Sequence, residues 1–74
     1  MGNQGEAQQL AQRIETARTN AGYSILQLAA ESGIANSTLH RKLTHTPEAF
    51  TIRDVTAIAF VLGTTLDTFF VRTP

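Results

Sequence analysis

Residues 24–44 read SILQLAAESGIANSTLHRKLT, and this stretch decides the fold. Ser24 with Gln27 three residues on forms a capping-box signature, which predicts a helix start. Leu28 and Ala29 fall where an inward face belongs. Gly33 then interrupts the pattern, because it takes positive φ without a Cβ to resist it. A second helix is predicted over about 36–44, with Leu39 and Leu43 on one face. Two short helices crossing at close range need a small residue where they touch, and Ala29 supplies it. The spacing of Ala29, Gly33 and Leu39 is that of a helix-turn-helix.

Helical pattern continues on both sides. Upstream, Ala7, Leu10, Ala11, Ile14, Ala17 and Ala21 recur at helical spacing, and Gly22 ends the stripe. Downstream, Pro47 breaks a loop. Thr51 with Asp54 makes a second start signal, ahead of Ile52, Val55, Ile58, Ala59 and Leu62. Gly63 stops that helix. Thr65 is expected to cap a last short helix, with Asp67 near its positive end and Leu66, Phe69 and Phe70 as its apolar content. No segment alternates with period two. The pattern predicts an all-α, compact domain of five helices over 6–71. It also predicts a frayed N-terminus over 1–5 and a tail over 72–74.

Composition narrows the function. The chain has 74 residues, six basic and six acidic side chains, and no cysteine. Disulfides and thiolate metal sites are therefore excluded. His40 and His45 have no ligand cluster around them, so no metal and no cofactor is expected. The apolar run 57–62 is too short to span a bilayer, and no signal peptide is visible, so a soluble cytoplasmic chain without membrane contact is expected. Catalysis is not expected. Ser37 and His40 share a helix, but no acid follows to orient the histidine, and there is no glycine-rich phosphate loop.

The distribution of charge matters more than its sum. Between Glu31 and Glu48 there is no acid, while Arg41 and Lys42 lie inside, flanked by His40 and His45. Arg13, Arg18 and Arg53 extend this patch if the fold brings them round. If Ile34, Leu39 and Leu43 anchor the helix at 36–44, Asn36, Ser37, His40, Arg41 and Thr44 remain on its outer face. Arg can bond bidentately to guanine and Asn to adenine in the major groove. The same polar face is also what a solvated helix presents.

The run LQLAAESGIANSTLHRKL, followed by FTIRDVTAIAFVLGTTLDTFF, resembles the Cro/C1-type (XRE, lambda-repressor-like) helix-turn-helix family. It is similar there to small regulators of actinobacteria and their phages. The resemblance covers about residues 7–70 and implies a five-helix fold whose third helix reads the major groove. It places base reading on Asn36, Ser37, Thr38 and Arg41, with His40 and Thr44 nearby. It places backbone contacts on Ser24, Ile25, Thr44, His45, Thr46, Thr51 and Arg53, and His40 is open to a phosphate role as well.

Four positions depart from the family pattern. Ile25 stands where a phosphate-binding Gln is frequent. Ser32 and Lys42 replace apolar residues, and Leu43 taking over the anchoring role would free Lys42 for phosphate. Ala35 replaces a Ser or Thr cap, which leaves Asn36 as an alternative cap. The resemblance implies a sequence-specific, double-stranded DNA-binding transcriptional regulator, a repressor or Cro-like switch protein, acting on an operator that can be palindromic. The alternative is a protein-interaction module of the same fold, an antitoxin or adaptor. Phe69, Phe70 and Val71 are too many large apolar residues for one short helix to bury, so a weak homodimer through them is expected.

Overall fold

The computed structural model describes residues 3–70 of the chain. Helix α1 spans Asn3–Asn20, α2 Ile25–Ser32, α3 Asn36–Thr44 and α4 Ile52–Val61. Two short 3-10 segments, Pro47–Ala49 and Leu66–Phe69, complete the order, and no strand occurs among the described residues. Among the described residues there are thus four α-helices, not five. The last apolar segment closes i→i+3 bonds, Thr68 N–H to the Thr65 carbonyl (3.0 Å) and Phe70 N–H to the Asp67 carbonyl (3.1 Å). Four residues are too few for a cooperative α-helix, so the tighter turn wins. Thr65 stands at its N-cap but makes no side-chain cap bond.

The helix ends follow local chemistry. Gly22 has φ 79°. Behind it, Tyr23 N–H reaches the Arg18 carbonyl at 3.0 Å and Gly22 N–H the Thr19 carbonyl at 3.1 Å, the paired bonds of a Schellman stop. Helix α4 ends the same way at Gly63, with Thr64 N–H on the Ala59 carbonyl at 2.9 Å. At the starts of α2 and α4 both capping boxes form, Ser24 with Gln27 and Thr51 with Asp54. Helix α1 begins at Asn3, earlier than its apolar stripe indicated.

The core gathers Leu10, Ala11 and Ile14 of α1, Leu28 and Ala29 of α2, Leu39 and Leu43 of α3, Val55, Ile58 and Ala59 of α4, and Phe69. Helix α2 packs on α3 and α4, while α1 closes over α3 and both 3-10 segments. Two stripe residues are exposed. Ala21 lies in the terminating turn of α1 and is exposed. Ile52, at the first position of α4, is 62% exposed because the core begins one turn later, at Val55. Phe60 is 84% exposed on the outer side of α4.

Candidate nucleic-acid interface

The turn between α2 and α3 sets the site. Gly33 has φ 82°, and its N–H bonds the Ala29 carbonyl at 3.0 Å. Ala29 is buried beside Leu28, so the small side chain lies in the core that α2 shares with α3. Leu39 and Leu43 are buried and Ile34 is half-buried against the core. Leu43 therefore anchors α3 as its departure from the family pattern required. Asn36, Ser37, His40, Arg41 and Thr44 are exposed, and Thr38 is half-buried.

Asn36 is the first residue inside α3, not its cap. The N-cap is Ala35, with φ −57° and ψ 140° and no side-chain bond to the helix. The Asn36 amide is thus not consumed by capping. One turn on, Arg41 is exposed. The ion pairs among the described residues engage Arg18 and Lys42 as cations, so Arg41 and Arg53 stand outside them.

Several expected contacts sit differently. Lys42 is not free for phosphate: its ammonium meets Asp54 Oδ2 at 2.6 Å, with the two side chains only 14% and 16% exposed. Thr46 is turned inward. Its hydroxyl oxygen is buried without a protein partner, while its N–H bonds the Arg41 carbonyl at 2.9 Å. Arg18 closes the end of α1 by bonding Glu15 at 2.6 and 3.0 Å and the Tyr23 carbonyl at 2.6 Å, so it does not extend the basic patch. Arg13 lines an open groove of about 910 Å³ with Glu6, Asp67 and Phe70, not with Arg41. Ile25 packs partly against the core.

The remaining backbone candidates are exposed. Ser24 and Thr51 each accept a cap bond from the N–H of Gln27 and Asp54, at 3.0 Å in both cases. Accepting leaves each hydroxyl proton free to donate. Thr44 spends its proton on the His40 carbonyl at 2.8 Å. His45 lies exposed at the end of α3 in a shallow recess with Gln12 and Glu15 of α1. Arg53 is exposed in the first turn of α4. One donor escaped the sequence reading. Gln27 accepts from Ser24 N–H through Oε1 at 2.9 Å, which leaves its exposed NH₂ group outward beside Ser24. The capping box itself was the signal, since it fixes which end of the amide faces away.

The Asp54 carboxyl is held below the usual carboxylate range. Burial pushes it up, but the Lys42 hydrogen bond, the Thr51 amide and the Lys42 charge together outweigh burial. The acid beside the α4 N-terminus is therefore ionised and neutralised by Lys42.

A glycine turn between a small-residue crossing and a buried-anchored second helix with a polar outer face defines a helix-turn-helix domain. Residues 13–74 match the family model of the Cro/C1-type HTH DNA-binding domain, and the chain belongs to that family. No curated protein and no solved structure gives a significant match. No described helix is long and apolar enough to cross a membrane.

Proposed function

We propose that the chain is a sequence-specific regulator of transcription that acts in the cytoplasm, as a repressor or Cro-like switch protein, with α3 in the major groove of double-stranded DNA. The observation that carries this reading is the outer face of α3, where Asn36, Ser37 and Arg41 are exposed and Arg41 stands outside the ion pairs of the described residues. Arg41 has the fork that matches guanine O6 and N7, and Asn36 the amide that matches adenine N6 and N7. Ser37 and Thr38 complete the base-reading set. Ser24, Gln27, His40, His45, Thr51 and Arg53 supply backbone donors, whereas Thr44, Thr46 and Lys42, whose donors are spent or buried, do not. Two chains on a palindrome would set their recognition helices about one DNA turn, ~34 Å, apart. Phe69 is core and cannot serve a dimer contact; Phe70 remains at the surface, and Val71 lies outside the described residues.

The test is selection of duplexes from a random pool, followed by fluorescence anisotropy on the selected and a scrambled duplex across a salt series. The reading expects a clear preference for the selected duplex. It also expects log affinity to fall by about 0.9 per phosphate neutralised for each tenfold rise in salt. Sedimentation of the saturated complex gives one chain or two per duplex. A second reading, a protein-binding module, is favoured by the zero net charge and by Lys42 being spent on Asp54. It expects neither sequence preference nor a salt slope.

A further inference from the structure

Lys42 and Asp54 join elements that otherwise barely meet. Helices α3 and α4 make few close backbone approaches, since each packs mainly on other elements. The bond from Lys42 Nζ to Asp54 Oδ2, at 2.6 Å, runs from the last turn of α3 to the first turn of α4. The same Oδ2 accepts from Thr51 N–H at 3.1 Å, inside the α4 capping box. Thr51 Oγ in turn accepts from Asp54 N–H at 3.0 Å. A single carboxylate oxygen thus serves both the α4 start and the recognition helix.

The geometry points to Lys42 and Asp54 as a positioning pair that sets the angle of the recognition helix against the phosphate-facing start of α4, and so governs sequence discrimination without touching DNA. This rests on the DNA-reading assignment of α3. Both side chains are largely shielded, so the pair is neither the freely solvated kind that contributes almost nothing nor a fully buried one dominated by desolvation. Ion pairing also cancels the charge of Asp54 next to Arg53 and Thr51, where a bare carboxylate would repel a phosphate. An apolar residue at position 42 would pack on the domain without fixing a direction. The ammonium specifies one, because it must reach one oxygen.

The experiment compares wild type, Lys42→Met, Lys42→Arg and Asp54→Asn on a selected and a scrambled duplex, with salt slopes and melting midpoints for each. Asn at 54 keeps a cap acceptor and loses the charge. Lys42→Met is expected to lower the selected-to-scrambled affinity ratio about tenfold, the scale of one lost base contact. Its scrambled-duplex affinity should fall much less, only as far as the bared Asp54 carboxylate repels phosphate. Its salt slope should change by well under the ~0.9 of a lost phosphate contact, and Lys42→Arg should recover the ratio. Asp54→Asn should lower the ratio too, while tightening scrambled-duplex binding because it releases a cation.

A ratio unchanged in both Lys42→Met and Asp54→Asn overturns the proposal, even if both melt earlier. A Lys42→Met salt slope shallower by about 0.9, with equal loss on both duplexes, overturns it in favour of a direct phosphate contact. Should Lys42→Met fail to fold, Asp54→Asn and Lys42→Arg decide by the same ratio. A wild type that binds neither duplex removes the DNA reading itself, a different outcome from a bound wild type with indifferent variants.

Discussion

Arg41 and Gly33 show how much depends on single residues here. Arg41 projects from α3 outside the ion pairs of the described residues, so its removal should leave packing intact. Arg41→Ala is expected to cost about 1–3 kcal/mol on the selected duplex and far less on a scrambled one. Anisotropy at one salt concentration reads the ratio, and an unchanged ratio removes Arg41 from the base-reading set. Gly33 is different, because its role is torsional alone. At φ 82° nothing lies within 4 Å of where a Cβ would stand. Gly33→Ala should therefore cost about 1–2 kcal/mol, the left-handed penalty of an L-residue, with Asn cheaper and Val dearer. At roughly 4–8 °C per kcal/mol for a domain this small, thermal melting separates the series. A Val variant melting with wild type would show that the turn is not held by φ.

At the scale of the element, the helix starts are the most adjustable parts. Helices α2 and α4 carry complete capping boxes, while the recognition helix begins at Ala35 with no side-chain cap. The Ala35 backbone already lies close to the extended region that caps adopt, so Ala35→Ser should add about 0.5–2 kcal/mol of stability. A denaturation midpoint at or below that of wild type would show that a serine there does not cap α3. The α4 start carries a pH dependence. Asp54 titrates below its unfolded value. Its contribution to stability is fully present above the unfolded pKa of about 3.9 and is lost as pH falls through the lower folded value. Urea midpoints measured downward from pH 6 should hold to about pH 4 and then fall. Asp54→Asn should flatten that fall, and an identical acid limb in both proteins would contradict the shift.

The whole molecule is a small core with little to spare. Total stability for a chain of this length is about 4–11 kcal/mol. Phe69 is 1% exposed, and deleting so large a buried side chain costs about 3–5 kcal/mol. Phe69→Ala is therefore expected to remove much of the cooperative melt seen by circular dichroism. Phe60→Gln, at an 84% exposed position, should shift stability by no more than about 0.5 kcal/mol, ~2–4 °C in the midpoint. If the two variants melt alike, Phe69 is not the C-terminal plug of the core.

What the sequence determined by itself was most of what closes within one turn of chain, the unmade Thr65 cap being an exception. Capping boxes act over three residues, and glycine stops need one residue at positive φ, so Ser24, Gly22, Gly33, Thr51 and Gly63 were legible without a fold. The α2–turn–α3 unit and the buried Leu39 followed from spacing for the same reason. The tertiary structure decided whatever depends on which face meets which neighbour. Phe69 and Phe70 are adjacent and chemically identical, and only the position of the last 3-10 turn against the core buries the first. Ile52 shares the apolar spacing of α4 yet falls before the core begins. Lys42 looked free because its partner lies twelve residues away, beyond any helical period. Arg13 and Arg18 are cations like Arg41, but α1 carries one into a separate groove and spends the other on its own C-terminus. Local hydrogen bonding writes itself into adjacent residues, whereas the partner of a surface charge is chosen only when helices pack.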